Sequence, residues 1–156
     1  MDAYQHCLKA MEELFAKDCT FSLATARDNI PTVRVVDAFF DDGAFYVVTW
    51  NESGKAREIR ENANVSLCSG LYRFSGAAVN IGHPLRPENA AIRAKLIEAF
   101  TPWYFRHNDE GSEGMCYLKI TPAQGFVYKD GTGWEVNFAA RTAREFPFLS
   151  DIISAE

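Results

Sequence analysis

Apolar residues recur along this chain first at a helical period and then at a period of two. Tyr4, Cys7, Leu8, Met11, Leu14 and Phe15 fall at i, i+3, i+4, i+7, i+10 and i+11, one side of a helix. Asp2 is placed to cap it, and the pattern fades near Lys17, so the spacing predicts a helix packed as a lid on a sheet. From Cys19 the period changes. Phe21, Leu23 and Thr25 share one side of a strand over 19–26, and Arg27-Asp28-Asn29 reads as a turn. Pro31 opens the next strand, where its missing N–H is tolerated, and Thr32, Arg34 and Val36 share a face of it. Asp41-Asp42-Gly43 is a hairpin signal, and Ala44 to Thr49 is apolar enough for a buried strand.

The pattern continues in short segments. Ser53 to Glu61 reads as a short helix ended by Asn62-Ala63-Asn64. Val65 to Ser69 and Tyr72 to Gly82 read as strands, with Gly76 marking a bulge or a barrel corner. Pro87 starts a helix to about Phe100, with Ile92, Leu96, Ile97 and Phe100 as its apolar side and Thr101-Pro102 as its end. Trp103-Tyr104-Phe105 forms an aromatic knot, followed by a polar loop over 107–114. Met115 to Thr121 and Gln124 to Lys129 flank Pro122 as a sixth strand. Asp130-Gly131 is a turn, and Trp134 to Phe138 is a last strand. Short turns between successive strands argue an antiparallel meander rather than a parallel βαβ sheet. The expected fold is therefore mainly β with peripheral helices: an antiparallel barrel of six or seven strands, closed to protect its edges. It forms one domain over 1–156, with a helix at 1–17, the barrel at 19–138, and a tail at 139–156 that has no clear pattern.

Composition narrows the class. A net charge of −5 with scattered basic residues argues against nucleic acid or an anionic membrane as partner. No apolar run approaches a membrane span, and the N-terminus reads as an amphipathic helix rather than a signal peptide. Cys7, Cys19, Cys68 and Cys116 form no Cys-x-x-Cys pair. They read as small buried hydrophobes in a reducing cytoplasm, with no metal site implied.

The candidate chemistry gathers in Pro31–Lys55. A strand end delivers Thr49, then Ser53, Gly54 and Lys55, to a helix start, where free backbone N–H groups seat anions. Gly54 lets a ligand approach the backbone. Lys55 is a cation in a first helical turn, a position that the helix dipole disfavours unless an anion lies nearby. Arg34, between valines, is in register with that loop. Trp103, Trp134 and Phe138 read best as interface core. His83 before Pro84 reads as a structural turn histidine, and His6 and His107 as surface residues. No nucleophile or carboxylate pair stands out, so no catalytic residue is assigned.

These segments resemble the pyridoxamine 5′-phosphate oxidase-like family of flavin-binding split β-barrels. Phe-Ser-Leu-Ala-Thr-Ala-Arg-Asp-Asn-Ile-Pro at 21–31 is similar to the family's first hairpin, and Val-Arg-Val-Val at 33–36 to the strand along the flavin. Phe-Tyr-Val-Val-Thr at 45–49 with Ser-Gly-Lys at 53–55 resembles its phosphate loop and helix. Residues 59–69 and 76–79 resemble the strands that follow. The resemblance spans roughly residues 1 to 130 in element order. It implies a split barrel that binds flavin mononucleotide (FMN), a homodimer with the flavin at the subunit interface, and hydride transfer to a small-molecule substrate. It further implies that Arg34 and Lys55 hold the phosphate and that Thr49 and Ser53 bond the phosphate or ribityl chain. Val35 and Val36 would present backbone groups to the ring, and Trp50 would flank it. The C-terminal arginine- and histidine-bearing segment of the vitamin B6 oxidase is not found, so that enzyme's own substrate is not implied. The alternatives within the resemblance are a flavin or haem carrier without turnover, a nitroimidazole-reductase-like protein, and a deazaflavin-dependent one.

Overall fold

A computed structural model describes residues 1–149. The chain begins with α1 (Ala3–Phe15), where Asp2 and Gln5 form a reciprocal capping box. Three strands follow: β1 (Cys19–Arg27), β2 (Ile30–Asp41) and β3 (Ala44–Trp50). Next come α2 (Gly54–Glu61), β4 (Asn64–Ser69) and β5 (Tyr72–Gly82). A 3-10 turn (Pro87–Asn89) leads into α3 (Ala90–Ala99), and α4 (Tyr104–His107) follows. β6 (Met115–Lys129), β7 (Thr132–Asn137) and β8 (Thr142–Pro147) complete the described chain. The two hairpin turns that Asp28-Asn29 and Asp42-Gly43 make take positive φ at both central positions, the geometry of type I′ turns.

All neighbouring strands run antiparallel in the order β3-β2-β1-β4-β5-β6-β7-β8, and β3 pairs with β6 to close a six-stranded barrel. β7 and β8 extend the sheet from the outer half of β6 and fold over α1, where His6 meets Glu145 at 3.2 Å. The barrel interior is aromatic. Phe45 is fully buried, with the rings of Phe15, Phe21, Phe40 and Phe74 at centroid distances of 5.8, 5.3, 5.0 and 5.0 Å. A second core, of Phe39, Tyr46, Leu96, Phe100, Tyr104 and Tyr117, lies where α3 and α4 cover the outer face of β3 and β6.

The barrel is split. β2 and β3 pair only at their hairpin end, from Phe39↔Tyr46 to Asp41↔Ala44. Past that point β3 turns to β6 while β2 stays with β1. One edge of β2 from Ile30 to Ala38 is therefore left without a ladder partner among the described residues. Every second residue there directs its N–H and C=O into the gap.

Several expectations need correction. The closed barrel has six strands, as expected, and β7 and β8 make eight in the sheet among the described residues, because β8 forms within the segment expected to be a tail. Its burial does not alternate along Thr142–Pro147, so it carries no period-two signal. β6 runs unbroken through Pro122. That proline pairs with Gly76 at the register shift between Ser75 and Gly76, an irregular point of the ladder where a missing N–H is tolerated. The Pro87–Phe100 helix is instead a 3-10 turn joined to a shorter α-helix, and the aromatic knot contains α4. Trp134 lies in this chain's own core and donates to Glu145 at 2.7 Å; Phe138 packs against Tyr4 and Phe74. Trp103 stacks on Phe100 and donates to Asp18. Cys7 and Cys116 are buried as expected, but Cys68 is exposed on β4.

Candidate functional site: the split between β2 and α2

Period two places Arg34 on the inward side of β2 with Thr32 and Val36, opposite Leu23 of β1. Its guanidinium therefore turns into the mouth of the barrel rather than to solvent. Nη1 donates to the Thr25 hydroxyl at 2.6 Å and to the Leu23 carbonyl at 3.3 Å. Nη2 donates to the Thr32 hydroxyl at 2.8 Å and to Glu58 Oε2 at 3.2 Å. Both threonine hydroxyls in turn donate to the same Glu58 oxygen, Thr32 at 2.6 Å. The hydroxyls of Thr25 and Thr32, helped by Arg34, hold the Glu58 carboxyl down to about 2 despite partial burial. Sequence reasoning missed Glu58, Thr25 and Thr32. The available signal was the i, i+3 spacing of Lys55 and Glu58, which puts them along one face of α2.

Lys55 stands in the first turn of α2. Burial lowers its pKa most, and the Arg34 cation nearby lowers it further. No carboxylate lies within salt-bridge distance of it among the described residues. It is thus a half-desolvated ammonium facing a second cation, in a helix turn whose dipole also opposes it. Ser53 is the N-cap of α2: its Oγ accepts from the Ala56 N–H at 3.3 Å and from the Thr49 hydroxyl at 3.2 Å. Gly54 lies at the helix start with open space where a Cβ would stand.

Arg34 thus meets α2 at Glu58, one helical turn after Lys55, and Thr49, Ser53 and Gly54 lie at the start of the same helix. Val36 buries its side chain in the core, while Val35 points outward at 69% exposure. Both lie on the stretch of β2 that borders the split. Trp50 follows Thr49 at the end of β3, 59% exposed and with its indole over Gly114. Together with Thr49, His107, Asn108, Asp109 and Ser112 it lines a pocket of about 360 Å³.

Neighbouring groups buttress the site. Asn80 donates to Asn51 at 2.8 Å, and Arg60 donates to the Asn51 carbonyl at 3.1 Å, which fixes the loop from β3 into α2. One ring nitrogen of His83 accepts from the Leu85 N–H at 3.1 Å and the other contacts the Ser112 carbonyl at 3.0 Å. Among the described residues, no cluster of three metal-ligating side chains occurs and no helix is long and apolar enough to cross a membrane.

A split barrel with paired cations at the entrance to α2 invites comparison with known proteins. The family model described as pyridoxamine 5′-phosphate oxidase matches residues 8–129. The chain belongs to that family. No curated protein matches it. Among solved structures of this fold, it resembles General Stress Protein 26 from Bacillus anthracis str. Sterne at 19% identity and TM-score 0.61, covering 78% of this chain and 92% of that one. A FAD-binding protein from Mesorhizobium loti aligns at 20% identity and TM-score 0.57, covering 76% and 89%. HutZ, the heme storage protein from Vibrio cholerae, aligns at 16% identity and TM-score 0.60, covering 80% and 93%. At these identities the structural likeness carries the fold alone.

Proposed function

We propose that this family member is a flavin-dependent oxidoreductase that holds FMN by its phosphate at the start of α2. The observation that carries this reading is Lys55: a desolvated ammonium beside Arg34, with no carboxylate of its own among the described residues. A phosphate placed there relieves both the repulsion and the desolvation. The surrounding groups fit such a guest. The Thr49 and Ser53 hydroxyls stand at the same helix end, Gly54 leaves room for close approach, and α2 directs its free N–H groups toward the site.

A bound flavin supplies hydride acceptance and donation, and the protein's part is to hold, orient and shield it. Backbone groups along the Val35–Val36 stretch of β2, where alternate residues face the unpaired edge, orient the ring, while Lys55 and Arg34 fix the opposite end. Val33 and Val35, each 69% exposed on the outer face of β2, support a second copy of the chain packing there and covering the site. The active species is then a cytoplasmic homodimer acting on a small-molecule substrate. A second reading, ligand storage without turnover, draws support from the haem-storage neighbour. Anaerobic bleaching by a nicotinamide donor, and recovery with an acceptor, separates catalysis from storage.

Titrating FMN and riboflavin into Arg34→Ala and Lys55→Ala variants tests the site. Each variant is expected to lose affinity for FMN by at least about tenfold while binding riboflavin as before, since only FMN carries the phosphate. Unchanged FMN binding in the double variant removes the site.

A further inference from the structure

We propose that Glu58 is a built-in counter-anion that competes with the bound phosphate for Arg34, setting the site's affinity below what its two cations alone would give. This rests on the phosphate-site reading above. Glu58 occupies Arg34 as an anionic ligand does. Its Oε2 takes Nη2 of Arg34 at 3.2 Å, and the hydroxyls of Thr25 and Thr32 lock the carboxylate in place. The same hydroxyls accept from Nη1 and Nη2, so both terminal nitrogens of Arg34 are committed toward the barrel. Only Nε–H has no partner among the described residues.

Glu58 and Arg34 are 15% and 24% exposed at the side chain, so water screens the pair weakly. A phosphate drawn to Arg34 and Lys55 therefore approaches a guanidinium that already holds a carboxylate at 3.2 Å. Binding then requires Arg34 to be shared with Glu58 or drawn from it. Such an arrangement favours a ligand that exchanges over one held permanently. Removing the charge at Glu58 while keeping its shape should tighten binding of the phosphorylated ligand, the reverse of what loss of a merely structural residue does.

The test compares FMN and riboflavin affinity, by quenching of flavin fluorescence, for the wild-type chain, Glu58→Gln, Lys55→Ala, Arg34→Ala and the Arg34→Ala/Glu58→Gln double variant. Thermal melts accompany each titration. Glu58→Gln is expected to bind FMN about tenfold more tightly and riboflavin unchanged, the scale of one unscreened unit charge near the phosphate. Arg34→Ala leaves Glu58 facing the phosphate and should bind FMN worst; the double variant should recover part of that loss. If Glu58→Gln alone folds poorly, the comparison of the double variant with Arg34→Ala decides, because the double variant leaves no charge of the pair without its partner. The inference is overturned if a natively folded Glu58→Gln binds FMN no more tightly than wild type, or if the double variant is no better than Arg34→Ala. Loss of FMN binding in Lys55→Ala together with that result overturns this inference alone. A wild-type chain that takes up no FMN, or a Lys55→Ala variant that binds it normally, overturns the phosphate site and this inference with it.

Discussion

Replacing Lys55 with methionine should make the ligand-free protein more stable and the ligand-bound protein less so. Methionine keeps an unbranched apolar stem and drops the charge. In the free protein that charge is penalised twice, by burial and by the Arg34 cation, and no carboxylate within salt-bridge distance offsets it among the described residues. The sign with pH follows from the direction of the shift. A lysine whose folded pKa is lowered costs stability below that pKa, and the cost fades as pH rises toward the ordinary value of 10.5. The gain from Lys55→Met is thus full near neutrality and disappears by that pH. Relieving one such site is worth about 1 kcal/mol, or roughly 2–4 °C in Tm for a chain of this size. With FMN at a hundred times its Kd, the wild type gains about 2.7 kcal/mol from ligand binding. The variant loses a charge-assisted contact of about 1.5–3 kcal/mol and most of that protection. Melting curves at pH 7 therefore cross, the variant melting higher without FMN and lower with it, and near pH 10 the ligand-free advantage of the variant largely disappears. A variant that melts lower without ligand, or that FMN protects as well as it protects wild type, refutes the reasoning.

Three further outcomes follow from the packing. Gly76→Ala would place a Cβ 2.2 Å from the Thr121 carbonyl oxygen, at backbone that cannot yield without breaking the β5–β6 pairing, so urea titration should show a loss of about 2–4 kcal/mol. Phe45→Ala empties the centre of the aromatic core and should cost about 3–5 kcal/mol by the same assay. Glu58 is held down from 4.5 to about 2, so its contribution is present above pH 4.5 and lost as pH falls toward 2; in urea titrations wild type should lose stability across that window and Glu58→Gln much less.

Much of this was legible because the local signals were strong. Asp42-Gly43 specifies its turn by positive φ, Gly76 marks a bulge by the space it lacks, and Ser53 announces a helix by its cap. Arg34 and Lys55 were recognisable as a pair because each departs from its local expectation, a charge between valines and a cation in a first turn. What escaped notice depends on distant partners. β8 is built by pairing with β7 and by the Trp134–Glu145 bond, neither of which leaves a mark in the 142–147 segment itself. Glu58 reads as an ordinary helix glutamate until β1 and β2 bring two threonines and an arginine to it.

The most direct test is to denature the native, unsupplemented protein and identify the released small molecule by mass spectrometry, with an absorption spectrum taken beforehand. The account predicts a yellow protein that releases FMN. A Soret band, a released flavin lacking a phosphate, or a colourless protein that takes up no added FMN contradicts it.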